Sequence, residues 1–216
     1  MKTTIYLIRH SERFPLEKIE KYNTHDTAVQ RSEKIVLSPL GEEKAKGLTK
    51  LDELKKLDKI YTSHCTRTLE TAKYILEDQK LKVTIDDRFD ERRVGKDNSN
   101  VVKNWFELQY KDENYKTVGG ESQKEVRDRF NEALEEIIKD NKGKRIAIFS
   151  HGYAITFFLM KWIKLKKVTK SRKLTFEYND KIIFDKVLSA PEIFKLVLNN
   201  RNEPEEITNI SYDFNK

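Results

Sequence analysis

Arg145-Ile146-Ala147-Ile148-Phe149-Ser150-His151-Gly152 is the stretch on which the fold turns. Its apolar run is continuous and too short for a helix, so it reads as a strand buried on both faces, as in parallel sheets. Gly152 leads into the apolar segment Tyr153–Leu165, which is expected to be a helix. Working outward, Thr4-Ile5-Tyr6-Leu7-Ile8 is a second strand of the same kind, ending in Arg9-His10-Ser11. Lys59-Ile60-Tyr61-Thr62-Ser63 is another, followed by a helix with Leu69, Ala72 and Leu76 on one face, and Val83-Thr84-Ile85 is a brief further strand. Ser38-Pro39 suits the cap and first turn of a helix carrying Ala45, Leu48, Leu51 and Leu54. After the Gly119-Gly120 break, Ser122 and Glu125 form a capping box that opens a helix with Val126, Phe130, Leu134 and Ile137 facing inward. Strand and helix alternate along most of the chain. That predicts an α/β fold with a mostly parallel sheet. Residues 14–36 read as a polar loop or short helical insertion, and 174–212 as stretches that suit edge strands.

The chain has 216 residues, of which 37% are hydrophobic and 37% charged. That length suits a single domain, 1–216, able to bury a full core under a heavily charged surface. No apolar run reaches the ~18 residues of a membrane span. Met1-Lys2-Thr3-Thr4 runs straight into a strand and lacks a signal-peptide layout, and the lone cysteine, Cys65, can form no intrachain disulfide. A cytoplasmic setting is expected. The net charge of +7 is concentrated locally, since nine Lys/Arg against three acids in 161–187 give that segment +6. Few aromatics and no nucleic-acid motif accompany the run, so it is expected to be a solvated face rather than a nucleic-acid or membrane surface. Such a basic rim could also attract phosphorylated substrates.

The chemistry is suggested by two buried strands that both end in histidine, His10 and His151. Parallel sheets bind ligands beyond the carboxyl ends of their strands. Arg67 follows the strand ending at Ser63 by about one helical turn, at a helix start where N–H groups and an arginine fork both suit an anion. Arg9, Arg67 and a protonated His151 would carry three positive charges, enough to hold a phosphate dianion with no metal ion or cofactor. Nearby cations would keep His10 neutral and therefore nucleophilic. A departing alkoxide needs a proton donor, and either Asp90 or Glu91 is available. The plainer readings are structural histidines, solvated acids at 90–91, surface positions for His25 and His64, and a buried space-filling role for Cys65.

The order of these blocks resembles the histidine phosphatase superfamily, which includes cofactor-dependent phosphoglycerate mutases and broad-specificity phosphatases. Leu7-Ile8-Arg9-His10-Ser11-Glu12 is similar to its Arg-His-Gly-Glu signature. The stretch 37–45 is similar to its Leu-Thr-x-x-Gly-x-x-Gln-Ala helix start, and 61–72 to its Ser-x-x-x-Arg-x-x-x-Thr-Ala pattern. Residues 90–95, Gly119–Ser122 and Ser150-His151-Gly152 complete the resemblance, which spans roughly 4–160. It implies a three-layer α/β/α sandwich, with His10 as nucleophile, Glu91 as proton donor, and Arg9, Arg67 and His151 as the phosphate pocket. The implied activity is metal-independent hydrolysis of phosphomonoesters through phosphohistidine, on a small-molecule phosphate ester or a phosphoprotein. Ser11 replaces the family glycine; its hydroxyl could donate to phosphate, and a positive φ there would cost about 1 kcal/mol. Leu16 lies where the family often has Asn. No Thr-Gly-Trp segment of the mutase type occurs in 14–36, which favours a phosphatase over mutase-type phosphotransfer or a non-catalytic phospho-ligand module. The insertions at 14–36 and 161–187 are expected to shape the substrate entrance.

Overall fold

The computed structural model describes residues 2–21, 24–96 and 102–211. Residues 22–23, inside the 14–36 insertion, and residue 212, at the end of the tail, lie outside the described residues.

The first half of the chain runs β1 (Thr3–Arg9), α1 (Ala28–Glu33), α2 (Pro39–Gly47), β2 (Lys59–Thr62), α3 (Thr66–Gln79) and β3 (Val83–Ile85). The second half runs α4 (Trp105–Lys111), α5 (Gln123–Asp140), β4 (Arg145–Ser150), α6 (Gly152–Leu159), β5 (Lys164–Val168), β6 (Lys173–Tyr178), β7 (Lys181–Val187), β8 (Glu192–Leu198) and β9 (Pro204–Ile210). The main sheet has the order β3-β2-β4-β1-β8-β9. Its first four strands are parallel, while β8 and β9 are added antiparallel.

Alternate side chains of the central strands leave on opposite faces, and this builds a three-layer sandwich. Ile5, Leu7, Ile146 and Ile148 join Val126 and Phe130 of α5 and Phe157 and Phe158 of α6. Tyr6, Ile8, Ala147 and Phe149 face the other way, toward Leu48, Ala72 and Ile75 on the α2–α3 side. Burying a ring such as Phe130 contributes roughly 1.5–3 kcal/mol, which outweighs residue-by-residue helix propensities of a few tenths. Amphipathic packing thus fixes α5 on its face. Its start is set by the expected capping box of Ser122 and Glu125, and α2 is capped by Ser38 Oγ accepting from the Gly41 amide at 2.9 Å.

Three sequence expectations change. The helix after His151 ends at Leu159 rather than Leu165, because Lys164–Val168 pairs antiparallel with β6 instead. The basic segment is a three-stranded sheet, β5-β6-β7, whose Leu174, Phe176 and Phe184 face the core while its lysines point out. In the 174–212 tail β7 and β9 are edge strands as expected, whereas β8 is flanked by β1 and β9, and is buried at Glu192, Ile193, Phe194, Leu196 and Leu198. The 14–36 insertion holds a short 3-10 turn, Leu16–Lys18, and α1, capped by Thr27. Among the described residues no helix is long and apolar enough to cross a membrane.

Candidate active site

Strand register assembles the site. Arg9 pairs with Ser150 across β1 and β4, so His10 and His151 leave adjacent strands at the same level, with the His10 amide donating to the Ser150 carbonyl at 2.9 Å. Thr62 pairs with Phe149, which brings Ser63 alongside. The two imidazoles lie edge to face with centroids 5.2 Å apart. Arg67, in the first turn of α3, is buried with its guanidinium against His151.

The tautomers follow from the partners. His10 Nδ1 lies 2.7 Å from the Ser11 carbonyl, which can only accept, so Nδ1 carries the proton and Nε2 presents a lone pair. Burial first, then the Arg67 and Arg9 charges, hold the His10 pKa well below its usual value. His151 Nδ1 accepts from Arg67 at 3.0 Å, so its proton is on Nε2, which donates to Ser63 Oγ at 2.8 Å. Burial, then Arg67, His10 and Arg9, depress the His151 pKa as well. This corrects the expectation of a protonated His151: a nitrogen that accepts from a guanidinium holds no proton, and two charges, not three, line the pocket.

Arg9 Nη1 donates to the carbonyls of Leu188 and Ser189 at 2.9 and 2.8 Å, in the turn before β8. Its Nε is buried without a hydrogen-bond partner and passes the start of α6, where a Cβ on Gly152 would lie 3.4 Å from it. Arg67 Nη1 donates to the Ser32 carbonyl at 2.7 Å, so the end of the 14–36 insertion reaches the site.

Ser11 is buried, but its hydroxyl donates to the Gly41 carbonyl at 2.7 Å and its amide to Thr71 Oγ1 at 2.9 Å. It ties the end of β1 to α2 and α3, and its one hydroxyl proton is given to the Gly41 carbonyl. Its φ is not positive, so the expected strain does not arise.

The two candidate acids face different ways. Glu91 lies over the start of α6, where Oε1 accepts from the amides of Arg92 and Ala154 at 2.9 and 3.1 Å and Oε2 from Tyr153 at 3.3 Å. Asp90 turns instead to His64: Oδ1 accepts its amide at 3.2 Å and Oδ2 lies 2.7 Å from Nδ1. Burial pushes the Asp90 pKa up to about 6. Arg129 of α5 fastens this loop by donating to the carbonyls of Arg88 and Asp90 at 2.7 and 3.0 Å. Ser63, Thr71, Arg129 and the 188–189 carbonyls are contributors that sequence reasoning missed. Only Ser63 and Thr71 carried any signal, through their place in the 61–72 block.

A buried, neutral imidazole with a free nitrogen, the buried Arg67 and part-buried Arg9 guanidiniums and a carboxylate at a helix start make a site for an anion and a covalent transfer. A family model described as histidine phosphatase superfamily (branch 1) matches residues 5–179. The chain belongs to that superfamily. No curated protein matches it. Among solved structures, a mycobacterial glucosyl-3-phosphoglycerate phosphatase superposes with a TM-score of 0.67 at 16% identity, covering 97% of each chain. Bacillus stearothermophilus YhfR gives 0.65 at 22% identity over 97% of this chain and 98% of that one. A phosphoglycerate mutase from Bacillus anthracis gives 0.63 at 18% identity over 99% and 94%. These likenesses confirm the α/β sandwich.

Proposed function

We propose that this chain is a metal-independent phosphatase that hydrolyses phosphomonoesters through a phosphohistidine at His10. The observation that carries the reading is the His10 ring, whose Nδ1–H is fixed on the Ser11 carbonyl so that Nε2 is the reactive nitrogen beside Arg9 and Arg67. In the first step Nε2 bonds to phosphorus as the bond to the ester oxygen breaks, and Glu91 gives that oxygen a proton. In the second, water attacks phosphorus, its proton passes to the Glu91 carboxylate, and the N–P bond breaks to return neutral His10. Arg9 and Arg67 stabilise the equatorial oxygens, which is the larger part of phosphoryl-transfer catalysis. The Arg9 Nε–H, buried and unpaired, is the donor best explained by an incoming oxygen. The reading takes 1–216 as one domain with 14–36 and 161–187 at the entrance, and a small phosphate ester or a phosphoprotein as substrate.

The test is turnover of p-nitrophenyl phosphate by His10→Ala, together with acid quenching of the wild type on labelled substrate. Loss of turnover and an acid-labile label at His10 are expected. Undiminished turnover in the variant would overturn the proposal.

A further inference from the structure

His64, Cys65 and Asp90 stand outside the pocket just described and have no part in the mechanism proposed for it. One ligand atom from each lies within 4.8 Å of the other two. They join the turn between β2 and α3 to the loop that precedes Glu91. We propose that these three side chains form a binding site for a thiophilic divalent cation of the zinc type.

The donor set argues for the class of metal. Thiolate, imidazole and carboxylate together select zinc-like ions over magnesium or calcium, which prefer all-oxygen shells. Ligands 2.0–2.3 Å from a tetrahedral ion are roughly 3.3–3.8 Å from one another. The present spread of 4.8 Å closes with a contraction of about 1 Å. His64 and Asp90 are only partly buried and can supply it by rotation, while buried Cys65 stays fixed at the start of α3.

The histidine is oriented for the task. Its Nδ1 lies 2.7 Å from Asp90 Oδ2, a contact that is attractive only while Nδ1 holds a proton, so an entering cation displaces that proton and takes the lone pair it frees. Its Nε2 lies 3.4 Å from Glu33 Oε1. A carboxylate on the far nitrogen is the usual support of a metal-bound imidazole, since it holds the Nε2 proton while Nδ1 binds the ion. Asp87 Oδ1, 3.5 Å from Nδ1 and 81% exposed at its side chain, can swing in as fourth ligand. A simple ion pair would need one carboxylate; this imidazole has three within 3.5 Å and a thiol beside it.

Cobalt(II) titration of the full chain, freed of metal with EDTA and kept reduced, tests this. Cys65 is the single cysteine, so a sulfur-to-cobalt charge-transfer band can come from nowhere else. The band is expected to saturate at one equivalent, to vanish on adding zinc, and to be absent from Cys65→Ser. In His64→Ala, a change at a half-exposed side chain, cobalt affinity is expected to fall at least tenfold. Zinc at a hundred times its Kd is expected to raise the wild-type Tm by roughly 5–10 °C and to leave that of His64→Ala unmoved. Absence of the band in the wild type, cobalt binding without it, or equal affinity in His64→Ala would overturn the site. None of these readouts depends on phosphatase activity.

Discussion

Replacing Glu91 by glutamine separates the acid's chemical role from its structural one. Glutamine has the same length, so its carbonyl can occupy the Oε1 position and keep the amides of Arg92 and Ala154, at 2.9 and 3.1 Å. Its NH2 group then faces the Tyr153 N–H, where Oε2 had accepted at 3.3 Å. A donor opposed to a donor costs about 1–3 kcal/mol, and removing a negative charge from the start of α6 costs about 0.3–1 more. For a chain of this size that is a fall in Tm of roughly 3–15 °C, measurable by calorimetry, with the protein still folded at 25 °C.

The kinetic effect should depend on the leaving group. An alkyl phosphate departs as a strongly basic alkoxide and needs the proton, so kcat/KM is expected to fall by about 10²–10⁴. Nitrophenolate leaves without help, so kcat/KM for p-nitrophenyl phosphate is expected to fall by less than about tenfold. Phosphohistidine should accumulate in the variant, because the water that cleaves it has lost its base. The assay is kcat/KM for both esters in wild type and variant, plus acid-quench labelling. Equal losses for the two esters would refute Glu91 as proton donor and leave it a helix-capping carboxylate.

Three further outcomes follow from the same geometry. His10 and His151 both have depressed pKa values, so the unfolded chain binds their protons first; stability should be fully present above about pH 6.5 and fall below it by up to about 2.7 kcal/mol per pH unit, a slope that Tm measurements should find halved in His10→Ala. Gly41→Ala would place a Cβ 2.0 Å from the Glu12 carbonyl oxygen, a backbone clash expected to cost about 3 kcal/mol and lower Tm by roughly 6–12 °C. Ser11→Gly removes the hydroxyl bonded to the Gly41 carbonyl and should cost about 1 kcal/mol while leaving phosphate inhibition within about twofold of wild type; a large loss of phosphate affinity would mean that the hydroxyl reaches the ligand after all.

The central strands and their histidine-bearing ends were legible because burial on both faces leaves an unmistakable apolar run, and because register then does the rest: once β1 and β4 pair, His10 and His151 must stand together. The tail was harder. Alternating stretches such as 192–198 read alike whether they lie at an edge or between partners, and only packing against β1 decides. The insertion 161–187 was read by its charge, which hid the inward Leu174, Phe176 and Phe184. The partners of Arg9 are carbonyls at 188 and 189, and a backbone acceptor leaves no mark in residue identity. The protonation of His151 was misread for a related reason: it depends on which ring nitrogen meets Arg67, a matter of side-chain direction.

Those carbonyl partners have an energetic consequence. Among the described residues Arg9 and Arg67 make no ion pair with a carboxylate; each is held by backbone oxygens, and Arg67 also by a neutral imidazole. Carbonyl dipoles orient a guanidinium but do not cancel its charge, and desolvation lowers the Arg9 pKa. The pocket is therefore kept positive at a cost in stability, with donors already aimed. A carboxylate partner would lower that cost and would also compete with phosphate for the same N–H groups. On the proposed function, holding the cations with neutral acceptors leaves their charge to be offset when a dianion enters, and concentrates that gain on the group that His10 would attack.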